Sequence, residues 1–511
     1  MKKIMILLTL AAFSALTSAS VEIRIDPRIE LVGVLEYFSL DSQSREEVFL
    51  SKGNYFVKEL RKYFAPYSNH SAIKKLRKLN NKGFSVSDFA KVLMYYDFPP
   101  KLGQMIPFER GFFLDLNLKA KNRKKLIEDF IESVRDFAKV SEFEKYLRLY
   151  TGDLEMKVEM VSQNIAKDEI PERLFNMFGL DFSEKKFMAI FCSWLKDEIH
   201  FYSPSFGYVV IIGPEISQKG NPTFRSARTM NKIIKGFASL LIDEIVDSNL
   251  DVVQSLGDLY TVLGDSAKSI CKDWVCAFKH QWMMSIIPNV SDIKTPALIE
   301  IHKDFVRGFI FTPFLYFISN EPINFGNTDT INEFKAKIIM PLTDFLGEFE
   351  GISYVQKKYE APLADEIWQH AKAEAQNLSF DDLSYIVFHF LKGHLTDASE
   401  LINTKMELSA GNDTEEMLYK CLSAAFKAET GELLEAESMA KDCLISTDSD
   451  KVKAYAYFTL GIVAQNRGKV KKAEKMFIKA SKLYPEISSL KEHLMNLKED
   501  KGNDNKPKKT K

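Results

Sequence analysis

Carboxylates, imidazoles and thiols are the side chains that could do chemistry in this chain, and few are spaced to act together. Asp243, Glu244 and Asp247 sit in the run Leu241-Ile242-Asp243-Glu244-Ile245-Val246-Asp247. On a helix, positions 243 and 247 are one turn apart, so their carboxylates point the same way. An all-oxygen pair of this kind suits Mg²⁺, Mn²⁺ or Ca²⁺ better than zinc. The same segment also carries Ile233, Ile234, Phe237, Leu240, Leu241 and Ile245 at helical spacing. On that reading the three acids are the solvated face of an amphipathic helix. Of the eight histidines, only His389 and His394 are close neighbours, and five residues across a helix end is poor metal geometry. His200 follows Asp197-Glu198-Ile199, read as a polar turn between two strands. Cys271 and Cys276 are five apart, which does not stack them well on one helix face. Cys421 and Cys443 fall in one expected helical hairpin and are either bridged or a pair of buried thiols. No phosphate-binding loop, GxGxxG, GxSxG or HExxH is present.

The composition narrows the setting. Among 511 residues, 69 Lys and Arg against 70 Asp and Glu leave a formal charge of −1. A general nucleic-acid binder would carry a basic excess, so no nucleic-acid partner is expected. Lys2 and Lys3, an apolar run over 4–16 and the small residues 17–20 have the pattern of a signal peptide, cleaved near Ala19-Ser20. The chain is therefore expected to be exported, periplasmic or extracellular. The run is short for a membrane span, and no later segment offers a better one, so no stable membrane insertion is expected. Loss of the two lysines takes the formal charge from −1 to −3.

The elements that must position these residues fall into parts. Residues 1–20 are the signal. Residues 21–376 are read as one domain, mostly helical α+β, with helices over 56–64, 124–140 and 230–249 and strands over 187–195, 199–202 and 208–213. The aromatic run Phe311 to Phe317 is read as core. Residues 377–498 are helical and repetitive, and 499–511 form a solvated basic tail.

In the repetitive part, Ala454, Tyr457, Leu460, Gly461, Ala464, Ala473, Phe477, Ala480 and Pro485 stand at tetratricopeptide spacing. Phe477 and Tyr457 are expected to fill the gap between helices, and Pro485 to stop the second helix. A Gly followed five residues later by Ala recurs at Gly393, Gly431 and Gly468, 38 and 37 residues apart. The segment resembles a tetratricopeptide array, which implies an α-solenoid with a groove for a protein or peptide partner.

Residues Ile25-Asp26-Pro27-Arg28-Ile29-Glu30-Leu31 resemble the opening of a secreted bacterial family of uncharacterised, zincin-like metallopeptidase domains. That family places strands before a helix carrying HExxH, and a later helix supplies a Glu ligand. Here Asp243-Glu244-Ile245-Val246-Asp247 stands in the place of HExxH, and His302-Lys303-Asp304-Phe305-Val306-Arg307-Gly308 is similar to the second motif helix. Both histidine ligands are replaced by Asp, and Lys303 opposes a cation by Coulomb repulsion. The resemblance implies a zincin-like scaffold that has lost its zinc, with no cofactor expected. The chain then reads as an exported adaptor rather than an enzyme. The alternative is an atypical metal-dependent hydrolase. In it Asp243, Asp247 and Asp304 or Glu300 hold a hard divalent ion, and Glu244 is the general base.

Overall fold

The computed structural model describes residues 21–50, 54–150, 152–167, 170–178, 186–196, 198–216, 222–224, 226–319, 330–391, 393–487, 489–495 and 497. The expected signal peptide and tail lie outside them. The chain divides into two compact units, residues 1–292 with 307–348, and residues 293–306 with 349–511. The boundary read at 376 thus falls inside the second unit, which also takes in a helix from upstream.

The first unit is mostly helical around a four-stranded sheet. Strands β1 (Val21–Ile25), β2 (Phe187–Phe191), β3 (Glu198–Ser203) and β4 (Gly207–Ile212) are ordered β1-β2-β4-β3. β1 pairs parallel with β2 (Val21 opposite Phe187), and β2 parallel with β4 (Phe187 opposite Tyr208). β3 returns antiparallel along β4. β2 is buried along its whole length, as expected of a parallel strand covered on both faces.

The Asp26-Pro27-Arg28 element is structural. Asp26 caps helix α1 (Pro27–Ser39) by accepting from the Arg28 backbone N–H at 3.0 Å, and Pro27 opens its first turn. The buried Arg28 guanidinium binds both oxygens of Asp26, at 2.8 and 2.6 Å. It also donates to the carbonyls of Met94 and Tyr96. Glu30 accepts from the Ser193 backbone N–H at 2.8 Å and from its hydroxyl at 2.7 Å, tying α1 to the loop after β2.

Helix α2 (Ser226–Ser248) packs on β3 and β4 and on helix α3 (Trp274–Val290). Ile233, Ile234, Phe237 and Leu241 are buried, as the stripe predicts. Phe311, Phe314, Leu315 and Tyr316 are core residues, also as expected. Of the polar turn read at 197–200, Asp197 lies outside the described residues, and Glu198, Ile199 and His200 lie in β3, paired with β4 down to Glu198–Ile212, which extends the strand expected at 199–202. The reversal comes instead at 204–206, before the positive-φ Gly207.

The second unit contains helices α4 (Thr295–Val306), α5 (Phe380–His389), α6 (Leu395–Leu408), α7 (Asp413–Glu429), α8 (Leu433–Ile445), α9 (Asp450–Asn466) and α10 (Val470–Leu483). The last six follow one another as three helix–turn–helix units, of which α7–α8 and α9–α10 pack as hairpins. α7 packs on α8 and on α9, α8 on α9, and α9 on α10. Gly393, Gly431 and Gly468 lie in the three turns with φ of 89°, 96° and 69°. That left-handed conformation strains any residue with a Cβ and ends a helix cleanly. Inside the last hairpin, Gly461 faces Phe477: a Cβ there would lie 2.4 Å from the ring. Ala464, Ala473 and Ala480 are buried as expected. The gap between helices, however, is filled by Phe458 rather than Tyr457. Phe458 is fully buried with its ring 5.7 Å from that of Phe477, while Tyr457 is half-buried beneath Lys479.

Candidate functional site

The acids of α2 are each held by a neighbouring element. Asp243 and Asp247 both bind the Lys279 ammonium of α3, with Nζ 3.0 Å from Asp243 Oδ1 and 2.7 Å from Asp247 Oδ1. Burial works against the charged form of Lys279, but hydrogen bonds to the two carboxylates outweigh it and raise its pKa. An ammonium held by both carboxylates repels a divalent cation at the same place. Glu244 is engaged elsewhere, accepting from the Tyr208 hydroxyl of β4 at 2.5 Å. Burial, then that bond, pushes the Tyr208 phenol well above its usual range.

The remaining sequence-expected residues belong to the second unit. Asp304 is buried in α4. Lys303 donates to Glu300 at 2.6 Å and lies over the Tyr385 ring at 5.0 Å. The α4 residue with the tightest surroundings is His302, whose Nδ1 lies 2.7 Å from the Tyr385 hydroxyl and Nε2 2.9 Å from Glu360 Oε1. Next to it, burial and the charges of His302 and Lys303 bring His389 down to about 4, so it is neutral at pH 7. Among the described residues, no group of three or more His, Cys, Asp or Glu is placed to hold a metal ion.

Beside the α2 acids, the first unit opens into a cavity of about 1030 Å³. Its wall includes Glu198, His200, Lys235, Ser239, Asp243 and Lys279. His200 Nε2 meets the Ser239 hydroxyl at 3.1 Å, and its Nδ1 is buried without a partner. Burial lowers its pKa, against the opposing pull of Glu198 and Asp243. Lys235 pairs with Glu198 across the same wall. No family model, no curated protein and no solved structure matches this chain. The chemistry of the cavity therefore has to be read from its own residues.

One of those features goes beyond the sequence reading, which weighed a bridge only for Cys421 and Cys443. Cys271 and Cys276 form a disulfide on the cavity wall, with Cα atoms 5.4 Å apart. The five-residue spacing counts against a bridge only on a continuous helix. Here the preceding helix, Asp265–Ile270, ends at Cys271, and α3 begins at Trp274. The intervening bend brings the sulfurs within the usual bridging range. Cys421 and Cys443 remain buried thiols. A hydrogen bond between them, with burial, raises the Cys421 pKa well above normal.

Sequence reasoning missed Lys279, Tyr208, Glu360 and Tyr385. Each meets its partner only through tertiary packing, and no local spacing announces them. His200 was noticed, and the strand expected over 199–202 contains it, but its place on a cavity wall was not foreseen.

Proposed function

We propose that the protein is an exported adaptor whose helical hairpins bind a partner protein or peptide. The observation that carries this reading is on α8. Leu434 and Ile445 are 82% and 85% exposed, although both are large and apolar. They stand eleven residues apart, close to three full turns, and so share one face of the helix. Large apolar side chains left bare together on a folded surface favour a contact with another molecule. The tetratricopeptide-like spacing and the glycine-turned hairpins α7–α8 and α9–α10 support the same reading, because stacked hairpins of this kind build extended binding faces.

Export rests on the signal-like pattern of residues 1–20, together with the absence, among the described residues, of any helix long and apolar enough to cross a membrane. The resemblance to secreted zincin-like domains supports an exported scaffold. The engagement of Asp243 and Asp247 with Lys279 favours one without a metal at that place.

The test is in-cell cross-linking with the full chain and with a Leu434→Asp, Ile445→Asp variant. The variant is expected to lose its cross-linked partner with its melting temperature unchanged, since both residues are solvent-facing. Equal cross-linking by the two proteins would end this reading.

A further inference from the structure

The two sulfurs of the cavity-wall disulfide are not equivalent. Cys271 is buried, at 2% exposure, whereas Cys276 is exposed. Cys276 is the third residue of the 17-residue helix α3. Its backbone N–H donates to Oδ1 of the capping Asp273 at 2.8 Å. The first turn of a helix of this length favours an anion, so a thiolate at Cys276 would be stabilised by the aligned peptide dipoles. Between the cysteines, Trp274 is only 4% exposed, lines the cavity, and has a buried indole N–H without a partner. His200, on the same wall, has a buried Nδ1 in the same condition. Two unsatisfied polar atoms on the wall of one cavity mark a place where a polar ligand would gain hydrogen bonds. The volume suits a small peptide.

A purely structural bridge would be expected to close a long loop, because the restriction it places on the unfolded chain grows with loop length. This one closes only residues 271 to 276. Its exposed member, its place at a helix N-terminus and its cavity fit a reactive bridge better.

We propose that Cys271–Cys276 is a thiol–disulfide exchange site for thiol-bearing peptides that enter this cavity. A substrate thiolate attacks Sγ of Cys276, the exposed residue of the pair. A bond forms between the substrate sulfur and Cys276, the Cys271–Cys276 bond breaks, and Cys271 leaves with the electron pair and takes up a proton. A second substrate thiolate then attacks the substrate-side sulfur of the mixed disulfide. Cys276 leaves as the thiolate, where the helix N-terminus holds it. In sum, two substrate thiols are oxidised to one disulfide, and their two electrons reduce the bridge to the Cys271 thiol and the Cys276 thiolate, one of their two protons going to Cys271 and the other to solvent.

Glutathione is the probe. The folded full chain is equilibrated across ratios of reduced to oxidised glutathione, quenched with acid, alkylated and mapped by peptide mass spectrometry. Circular dichroism monitors the fold. Cys271 and Cys276 are expected to pass together from bridged to alkylated as the buffer becomes more reducing. Cys192, Cys421 and Cys443 should stay unmodified in the folded protein. A Cys271→Ser variant is expected to hold a glutathione adduct at Cys276 at least tenfold more abundantly than Cys276→Ser holds one at Cys271. The proposal is overturned if the bridge survives excess reduced glutathione until the chain is denatured. It is equally overturned if the two cysteines are never found bridged, or if the two variants form adducts equally. Should the variants fail to fold, the redox titration of the unaltered chain decides alone.

Discussion

Cys421 and Cys443 sit inside a helical hairpin as buried free thiols, Cys421 Sγ 3.8 Å from the Val452 carbonyl oxygen, whereas Cys271 and Cys276 sit where one helix stops and another starts, bridged, with Cys276 exposed. In the hairpin, packing of α7 on α8 fixes the spacing, and the sulfurs act as small apolar fillers. At the cavity wall the backbone bends, and functional atoms are left at a surface. The two regions therefore depend on different things: the hairpins on close packing, and the first unit on polar and ionisable groups held at particular places.

The largest effect expected from this contrast is at Gly461. A Val there would drive its side chain into the Phe477 ring, which a Cβ alone already approaches to 2.4 Å. Overpacking of this kind costs about 3 kcal/mol, read as a lowered thermal transition. Replacing both Cys271 and Cys276 by Ser should cost distinctly less, because the bridge closes so short a loop. Similar losses from the two changes would break the contrast.

Titration sharpens it, because the buried carboxyls of α1 and the imidazole of His389 carry opposite signs. Burial raises Glu30 and Glu36 in α1 to about 7. Between the ordinary value near 4.5 and 7, the folded chain binds more protons at these sites than the unfolded chain. Their contribution to stability therefore falls as pH rises through that window. His389, in the second unit, is brought from 6.5 down to about 4. There the unfolded chain binds more protons, so its contribution falls as pH drops from 6.5 towards 4. Melting temperatures taken between pH 4.5 and 7.5 should separate the two. Relative to the unaltered chain, Glu30→Gln with Glu36→Gln should gain stability as pH rises, on the order of a few kcal/mol. His389→Gln should gain as pH falls. Two variants whose differences move in the same direction would remove the distinction.

The contrast also explains what could be read in the sequence. Helices over 56–64 and 124–140 were legible because period-3.6 burial is local, and they appear as Tyr55–Phe64 and Arg123–Val140. The hairpins were legible because Gly393, Gly431 and Gly468 repeat their turns. Strand β1 was not legible: its partner Phe187–Phe191 lies more than 150 residues away, and Val21–Ile25 carries no turn signal of its own. The cavity was not legible either, since its wall is drawn from β3, α2, the bend at Cys271 and α3. Even the two cysteines, correctly noted as five apart, were read against a single helix face, whereas Cys271 follows one helix and Cys276 lies in the next. Of the candidate acids, the sequence placed Asp243 and Asp247 on one face, and only the fold supplied the lysine that holds them.

That lysine gives the smallest expected effect and the most direct bearing on the hydrolase alternative. Lys279 is 22% exposed, Asp243 44% and Asp247 66%. Ion pairs this open to water are worth about 1 kcal/mol or less, so Lys279→Met should shift stability by no more than that. The substitution leaves two carboxylates without their ammonium, still one helical turn apart. Hard divalent ions take about six oxygen ligands, and two carboxylates supply too few to hold one firmly. Titration with Mn²⁺, followed by electron paramagnetic resonance, should thus show no saturable site in either protein. Saturable binding by the unaltered chain would mean that the ion displaces Lys279 and recruits ligands beyond Asp243 and Asp247. Binding by Lys279→Met alone would mean that this single ammonium is what keeps an otherwise competent acidic face free of metal.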